Sequence, residues 1–125
     1  MRILLDTNIL YRWFYDPNLL SEETISIIRK AEAVCVSAAS LWEIAIKVSI
    51  GKMTADPREL ISWIEKTDFE ELPIRFRHTR LVAELPMHHN DPFDRLLIAQ
   101  SMLEPLHLLT ADTQLSQYTA LVIQA

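Results

Sequence analysis

Apolar and polar positions fall into two rhythms along the chain. Short, mostly apolar runs recur between longer stretches whose apolar residues lie three and four apart. The short runs cover residues 3–5, 33–36, 71–74, 107–110 and 121–123, and their length and β-branched content predict strands. The longer stretches predict helices over 9–15, from Ser21 onward, and over 39–50, 56–66, 77–85, 92–103 and 113–118. The punctuation agrees. Ser21 precedes Glu22 and Glu23, acids that suit the first turn of a helix. Gly51 stops one helix, and Asp16-Pro17 and Pro86 close two others. Strands alternating with helices imply a mainly parallel sheet covered on both faces. In such folds ligands gather beyond the carboxyl ends of the strands, where the strand order reverses.

Composition narrows the function classes. A chain of 125 residues is expected to form one domain over 1–125, and 50% hydrophobic with 23% charged residues is a globular balance. The formal net charge of −5 argues against a nucleic-acid binder that works by bulk positive charge. One cysteine, Cys35, excludes a disulfide scaffold and a cysteine-rich zinc site, and its apolar neighbours make it a core thiol. One glycine, Gly51, excludes a glycine-rich phosphate cradle. The start of the chain does not read as a signal peptide, and no apolar run reaches membrane-spanning length. The protein is expected to be cytoplasmic, with no membrane partner.

Acids stand where the strand-end rule points. Asp6 follows the first strand and Asp112 lies two residues past the fourth. Glu43 sits in the helix after the second strand, and Asp91 and Asp94 open the helix before the fourth. Parallel neighbouring strands would bring these carboxylates to one rim, where they repel unless a cation neutralises them. An oxygen-only set selects Mg²⁺ or Mn²⁺ over zinc. Two such ions ~4 Å apart stabilise the attacking and leaving oxygens of a phosphoryl displacement. Setting four site carboxylates aside leaves the remaining surface near −1, so the overall acidity says little against an RNA substrate. Each acid also has a purely structural reading. Asp6, Asp91 and Asp112 are good helix caps. Glu43 completes a capping box if Ser40 is the cap, but lies inside the helix if Ser37 caps instead. Asp56-Pro57-Arg58-Glu59 repeats the pattern of Asp91-Pro92-Phe93-Asp94 with no chemistry around it. The pattern alone is therefore a helix start, and only its neighbours raise Asp94 above Glu59.

Four segments together resemble a PIN domain of the VapC toxin type. They are Leu4-Leu5-Asp6-Thr7-Asn8, the stretch Val36 to Ile44, the stretch His89 to Gln100, and Leu109-Thr110-Ala111-Asp112. The Asp91-Pro92-Phe93-Asp94-Arg95 stretch points to one subgroup of that family. The resemblance implies a PIN-like three-layer α/β/α sandwich with a roughly five-stranded, mainly parallel sheet. It implies a metal-dependent endoribonuclease using one or two Mg²⁺ or Mn²⁺ ions, with Asp6, Glu43, Asp94 and Asp112 matching the family's acidic quartet as catalytic metal ligands. Products with a 5′-phosphate and a 3′-hydroxyl are expected. Thr7, Asn8 and Thr110 are expected to orient ligands, and Asp91 to act as a cap first and an auxiliary ligand second. A homodimer and a cognate antitoxin protein are the implied partners.

Other residues invite function. His88 and His89 flank the acidic loop, and no further His or Cys completes a zinc set. His89 and Arg95 are candidates for RNA contact, with a solvated loop and a local salt bridge as the alternatives. Arg75, Arg77, His78 and Arg80 form the basic cluster of the chain, open to phosphate contact or to pairing with nearby acids. Trp13, Trp42 and Trp63 are expected in core or dimer packing rather than in base stacking. Two other function classes stay open. One is a catalytically weak PIN-fold module acting through its dimer and a protein partner. The other is a phosphoacceptor or phosphohydrolase with Asp6 as nucleophile. Thr7 and Asn8 stand where the latter commonly wants a second acid, and no lysine follows Lys66.

Overall fold

The computed structural model describes residues 1–125. The elements run β1 (Arg2–Leu5), α1 (Thr7–Tyr15), α2 (Glu22–Lys30), β2 (Ala33–Ser37), α3 (Ala38–Ser49), α4 (Pro57–Glu65), β3 (Glu70–Leu72), α5 (Phe76–Glu84), α6 (Pro92–Leu103), β4 (His107–Thr110) and β5 (Val122–Gln124). Short 3₁₀ turns occupy Pro17–Leu19 and Thr113–Gln117. The last of these replaces the α-helix expected over 113–118. The strand expected over 71–74 ends at Leu72, because Pro73 has no N–H to continue the ladder.

The five strands form one sheet in the order β3-β2-β1-β4-β5, and every pairing is parallel. The sheet grows outward from β1 through β2 to β3, then returns to the other side of β1 for β4 and β5. The order therefore reverses between β1 and β4, where Leu5 stands opposite Leu109.

Side-chain alternation sorts the core into two layers. Ile3, Leu5, Val34, Val36 and Leu109 point to one face and pack with Ile9, Leu10, Ile28, Ile44, Leu60 and Ile64 from α1–α4. Leu4, Cys35 and Leu108 point to the other face and pack with Leu97, Ile98 and Ala99 of α6, and with Leu85 and Leu106. The result is the α/β/α sandwich expected from the sequence, with Cys35 buried in the second layer. Burial pushes the Cys35 thiol up to about 11, so it stays protonated and inert. No helix is long and apolar enough to cross a membrane.

Candidate active site

The switch point between β1 and β4 collects the acids. Asp6 directly follows β1 and is 5% exposed. One carboxylate oxygen caps α1 by accepting from the Ile9 N–H at 2.9 Å. The other accepts from the hydroxyl of buried Thr110, at the end of β4. The structural reading of Asp6 as a cap is thus correct, and it spends one oxygen. The second oxygen faces the neighbouring strand across the switch point. Burial holds the Asp6 carboxyl above its ordinary value, partly offset by these hydrogen bonds.

Ser37, not Ser40, caps α3 through the Ala39 N–H. Glu43 therefore lies inside the helix and the capping box is absent. Its side chain is buried, and Lys47, one turn on, reaches one oxygen at 3.0 Å. The other oxygen, Oε1, is buried without a hydrogen-bond partner. An unpaired buried acceptor is costly, so this atom is waiting for a ligand. Lys47 escaped the sequence reading, although a Glu–Lys pair four apart on a helix was its signal.

Asp91 caps α6, accepting from the Phe93 and Asp94 N–H groups, with Pro92 in the first turn. This places Asp94 at the mouth of the site. Burial, reinforced by the charges of Asp91, Asp6 and Glu43 and eased by His89, pushes its carboxyl up to about 7. Asp112 caps the 3₁₀ turn that follows β4 through the Gln114 N–H. His89 then bridges two of the acids. Its Nδ1 accepts from the Asp91 N–H, which leaves Nε2 as the protonated nitrogen of the neutral ring. Nε2 lies 2.9 Å from Asp112 and 3.6 Å from Asp94. His89, Asp94 and Asp112 offer ligand atoms within 4.8 Å of one another. The sequence pattern offers His89 as an RNA contact, a loop residue or part of a zinc set, and this mixed set with carboxylates is not among those expectations. Its signal was the spacing His89-Asn90-Asp91, which lets the imidazole fold back onto the cap.

The supporting residues divide. Thr110 orients Asp6 directly. Thr7 instead donates to Ser40 and ties α1 to α3 without touching an acid. Asn8 is exposed and reaches Asp6 through its backbone N–H.

Arg95 is a correction. It is 8% exposed, and both terminal guanidinium nitrogens are spent on the carbonyls of Pro86, Val82 and Leu85 and on the Tyr118 hydroxyl. It clamps the loop before α6 and leaves no free fork for a phosphate, nor does it form a local salt bridge.

His78 is likewise no part of a basic surface. It is fully buried, with Nδ1 accepting from the Arg75 N–H and Nε2 donating to Glu104. Arg77 pairs with the same Glu104. Trp13 and Trp63 pack in an aromatic cluster with Phe14, Tyr15 and Phe69, as expected. Trp42 lies outside the core of the single chain and is 58% exposed. An apolar cleft of about 250 Å³ opens between α3, α4 and β3, lined by Val36, Leu41, Ile61, Ile64 and Phe69. Its acids, Glu65 and Glu71, are exposed, and it takes no part in the site.

The residues present fit a hard divalent cation. Carboxylate oxygens dominate the donors, with His89 Nε2 beside Asp94 and Asp112, Glu43 Oε1 is unpartnered, and two of the acids are held above their ordinary range by burial and mutual repulsion.

Comparison with known proteins places the fold and the family. The complex VapBC2 from Rickettsia felis, bound to a DNA fragment from its promoter, matches with a TM-score of 0.71 and 18% identity, covering 100% of this chain and 98% of that one. A toxin–antitoxin complex from Klebsiella pneumoniae matches with a TM-score of 0.68 and 18% identity, covering 98% and 96%. FitAcB from Neisseria gonorrhoeae matches with a TM-score of 0.65 and 19% identity, covering 90% and 89%. At such identities these likenesses are of fold. No curated protein matches by sequence. The family model of the PIN domain matches residues 3–121, nearly the whole described fold and every acid of the switch-point cluster. On that match the chain belongs to the PIN domain family.

Proposed function

We propose that the protein is a metal-dependent endoribonuclease, the toxin member of a toxin–antitoxin pair. The observation that carries this reading is the convergence of Asp6, Glu43, Asp94 and Asp112 from four separate segments onto the switch point of the sheet. A set of mutually repelling carboxylates has no structural use there that a neutral cap would not serve better. Asp6, Glu43, Asp94 and Asp112 would hold one or two Mg²⁺ or Mn²⁺ ions. Such an ion, when bound, polarises a phosphodiester and lowers the pKa of water.

The chain's own residues do the rest. Thr110 fixes the Asp6 carboxylate, as the hydrogen-bonded supports of ligating groups usually do. Asp91 sets the position of Asp94 through the first turn of α6 and stands as an auxiliary ligand second. His89 keeps Asp112 and Asp94 from separating, and its place at the mouth suits RNA contact. Water attacking phosphorus with the 3′-oxygen as leaving group, which takes up a proton, leaves a 5′-phosphate and a 3′-hydroxyl. Two of the fold neighbours are toxin–antitoxin complexes by description or assembly, which supports an antitoxin partner here. A homodimer is part of the same proposal.

The test is cleavage of a mixed single-stranded and structured RNA pool with Mg²⁺, with Mn²⁺ and with EDTA, comparing wild type to Asp6→Asn. Cutting that needs the metal, and falls at least a hundredfold in the variant, is the expected result. Equal cutting by both proteins removes Asp6 from the site. Metal binding without any cutting leaves the binding-module reading in its place.

A further inference from the structure

The exposed Trp42 has no account in the fold. It follows Ser40 and Leu41 on α3 and immediately precedes Glu43. Glu43 turns inward to the acids, so Trp42, about 100° around the helix, stands beside them on the outer rim. Its ring meets that of Phe93 edge to face, with centroids 5.1 Å apart and planes at 74°. Phe93 in turn immediately precedes Asp94 on α6. The aromatic pair thus spans the two helices that deliver two acids of the site, one residue from each acid. Among the large apolar side chains of α3, Trp42 is the one that is exposed, and on α6 the exposed ones, Met102 and Leu103, lie at the far end. An exposed tryptophan can anchor a protein partner, but this one stands one residue from an acid of the site. It is a good platform for one flat ring.

We propose that Trp42, held by Phe93, stacks an unpaired nucleobase of the RNA beside the scissile phosphate. The inference rests on the ribonuclease reading and deepens it. A nucleotide carries its base one sugar away from its phosphate, and the structure places an aromatic face one residue away from the phosphate-handling acids. Stacking of this kind requires a splayed, single-stranded base, since paired bases in an RNA helix bury their faces. It tolerates any base, because every base has a π-face. The substrate assigned to the site is therefore an unpaired RNA segment, with sequence preference set elsewhere.

The experiment uses the full chain carrying Asp6→Asn, titrated with short single-stranded homopolymer RNAs and followed by tryptophan fluorescence. Trp13 and Trp63 are half-buried in an aromatic cluster with Phe14, Tyr15 and Phe69, and Trp42 is the exposed one of the three, so a surface event reports Trp42. RNA is expected to quench the emission of Asp6→Asn, and the quench is expected to vanish in Asp6→Asn/Trp42→Phe. In the active protein, Trp42→Leu is expected to raise KM about tenfold with kcat within a factor of two, and Trp42→Phe to restore KM. RNA binding without quenching, or a Leu variant with wild-type KM, overturns the inference and leaves the ribonuclease standing. Loss of an oligomer in Trp42→Leu, by light scattering and with KM unchanged, also overturns it and assigns Trp42 to an interface between copies. RNA that wild type neither cuts nor binds overturns the ribonuclease reading and this inference with it.

Discussion

At the scale of single residues, the site is built from side chains that would serve the fold better if they were neutral. Asp94 shows this best. Its carboxyl is ordinary in the unfolded chain, near 3.8, and about 7 in the folded one. The folded protein therefore holds a proton that the unfolded chain has lost, and stability falls as pH rises from about 4 through 7. Above 7 the whole penalty is present. Asp94→Asn is expected to remove it. In EDTA at pH 8 the variant should be more stable than wild type by about 2 kcal/mol, allowing for screening at the mouth of the site, and by little at pH 4. Thermal melts across that range check it, and RNA cleavage should be lost in the same variant. A melt that falls at pH 8 would mean that Asp94 stabilises the loop and does not strain it. Strand-end position and residue type suffice to single out Asp6 and Asp112 in the sequence, whereas Asp94 lies in the first turn of α6 and is raised above Glu59 only by its neighbours. The partners of Arg95 and the exposure of Trp42 were not legible there. Both depend on which way a helix rolls about its axis, and sequence periodicity sets that only to within a residue or so.

At the scale of elements, one joint shows how the fold holds the loop that leads into the candidate site. Helices α5 and α6 flank the segment Leu85 to Asp91, and Arg95 staples that segment from within. At the other end of the pair, Glu104 just past α6 accepts from buried His78 and from Arg77 of α5. The His78 hydrogen bond, helped by Arg77, holds the Glu104 carboxyl below its ordinary value. A depressed folded-state value gives stability that is present above the ordinary 4.5 and fades as pH falls toward the folded value. Glu104→Gln is expected to lower the melting temperature by a few degrees at pH 7, with the gap closing as the solution is acidified. A gap that stays constant with pH would show that the contact is packing alone. Sequence reading saw His78 with Arg75, Arg77 and Arg80 as one basic cluster. It could not see that the imidazole turns inward, because the partner, Glu104, is 26 residues away and reached only through the helix pairing.

At the scale of the whole molecule, the order of the strands makes the site. The block pattern of the sequence was enough for the parallel sheet, its two covering layers and the expectation of a switch point. It could not supply the order β3-β2-β1-β4-β5, because the adjacency of β1 and β4 is a contact between segments about a hundred residues apart. That order is what brings Asp6 beside Thr110. Leu5 pairs with Leu109, so the next residues of β1 and β4 meet, and the Asp6 N–H donates to the Leu109 carbonyl at 3.1 Å. The Thr110 hydroxyl completes the link to the Asp6 carboxylate and in turn accepts from the Asp112 N–H at 3.0 Å. One hydroxyl thus couples two acids of the cluster across the strand junction. Thr110→Val keeps the shape and the β-branching and removes that hydroxyl. The Asp6 carboxylate then loses its side-chain donor, so its carboxyl rises further and its ionised form, the one a cation needs, becomes less populated. The expected result is a stable fold with divalent-metal affinity and RNA cleavage each reduced about 10–100-fold. Calorimetric titration with Mn²⁺ and cleavage kinetics measure the two separately. Thr110→Ser, which keeps the donor, should sit close to wild type. If Val and Ser behave alike, the strand junction positions Asp6 by backbone alone, and the hydroxyl has no part in the site.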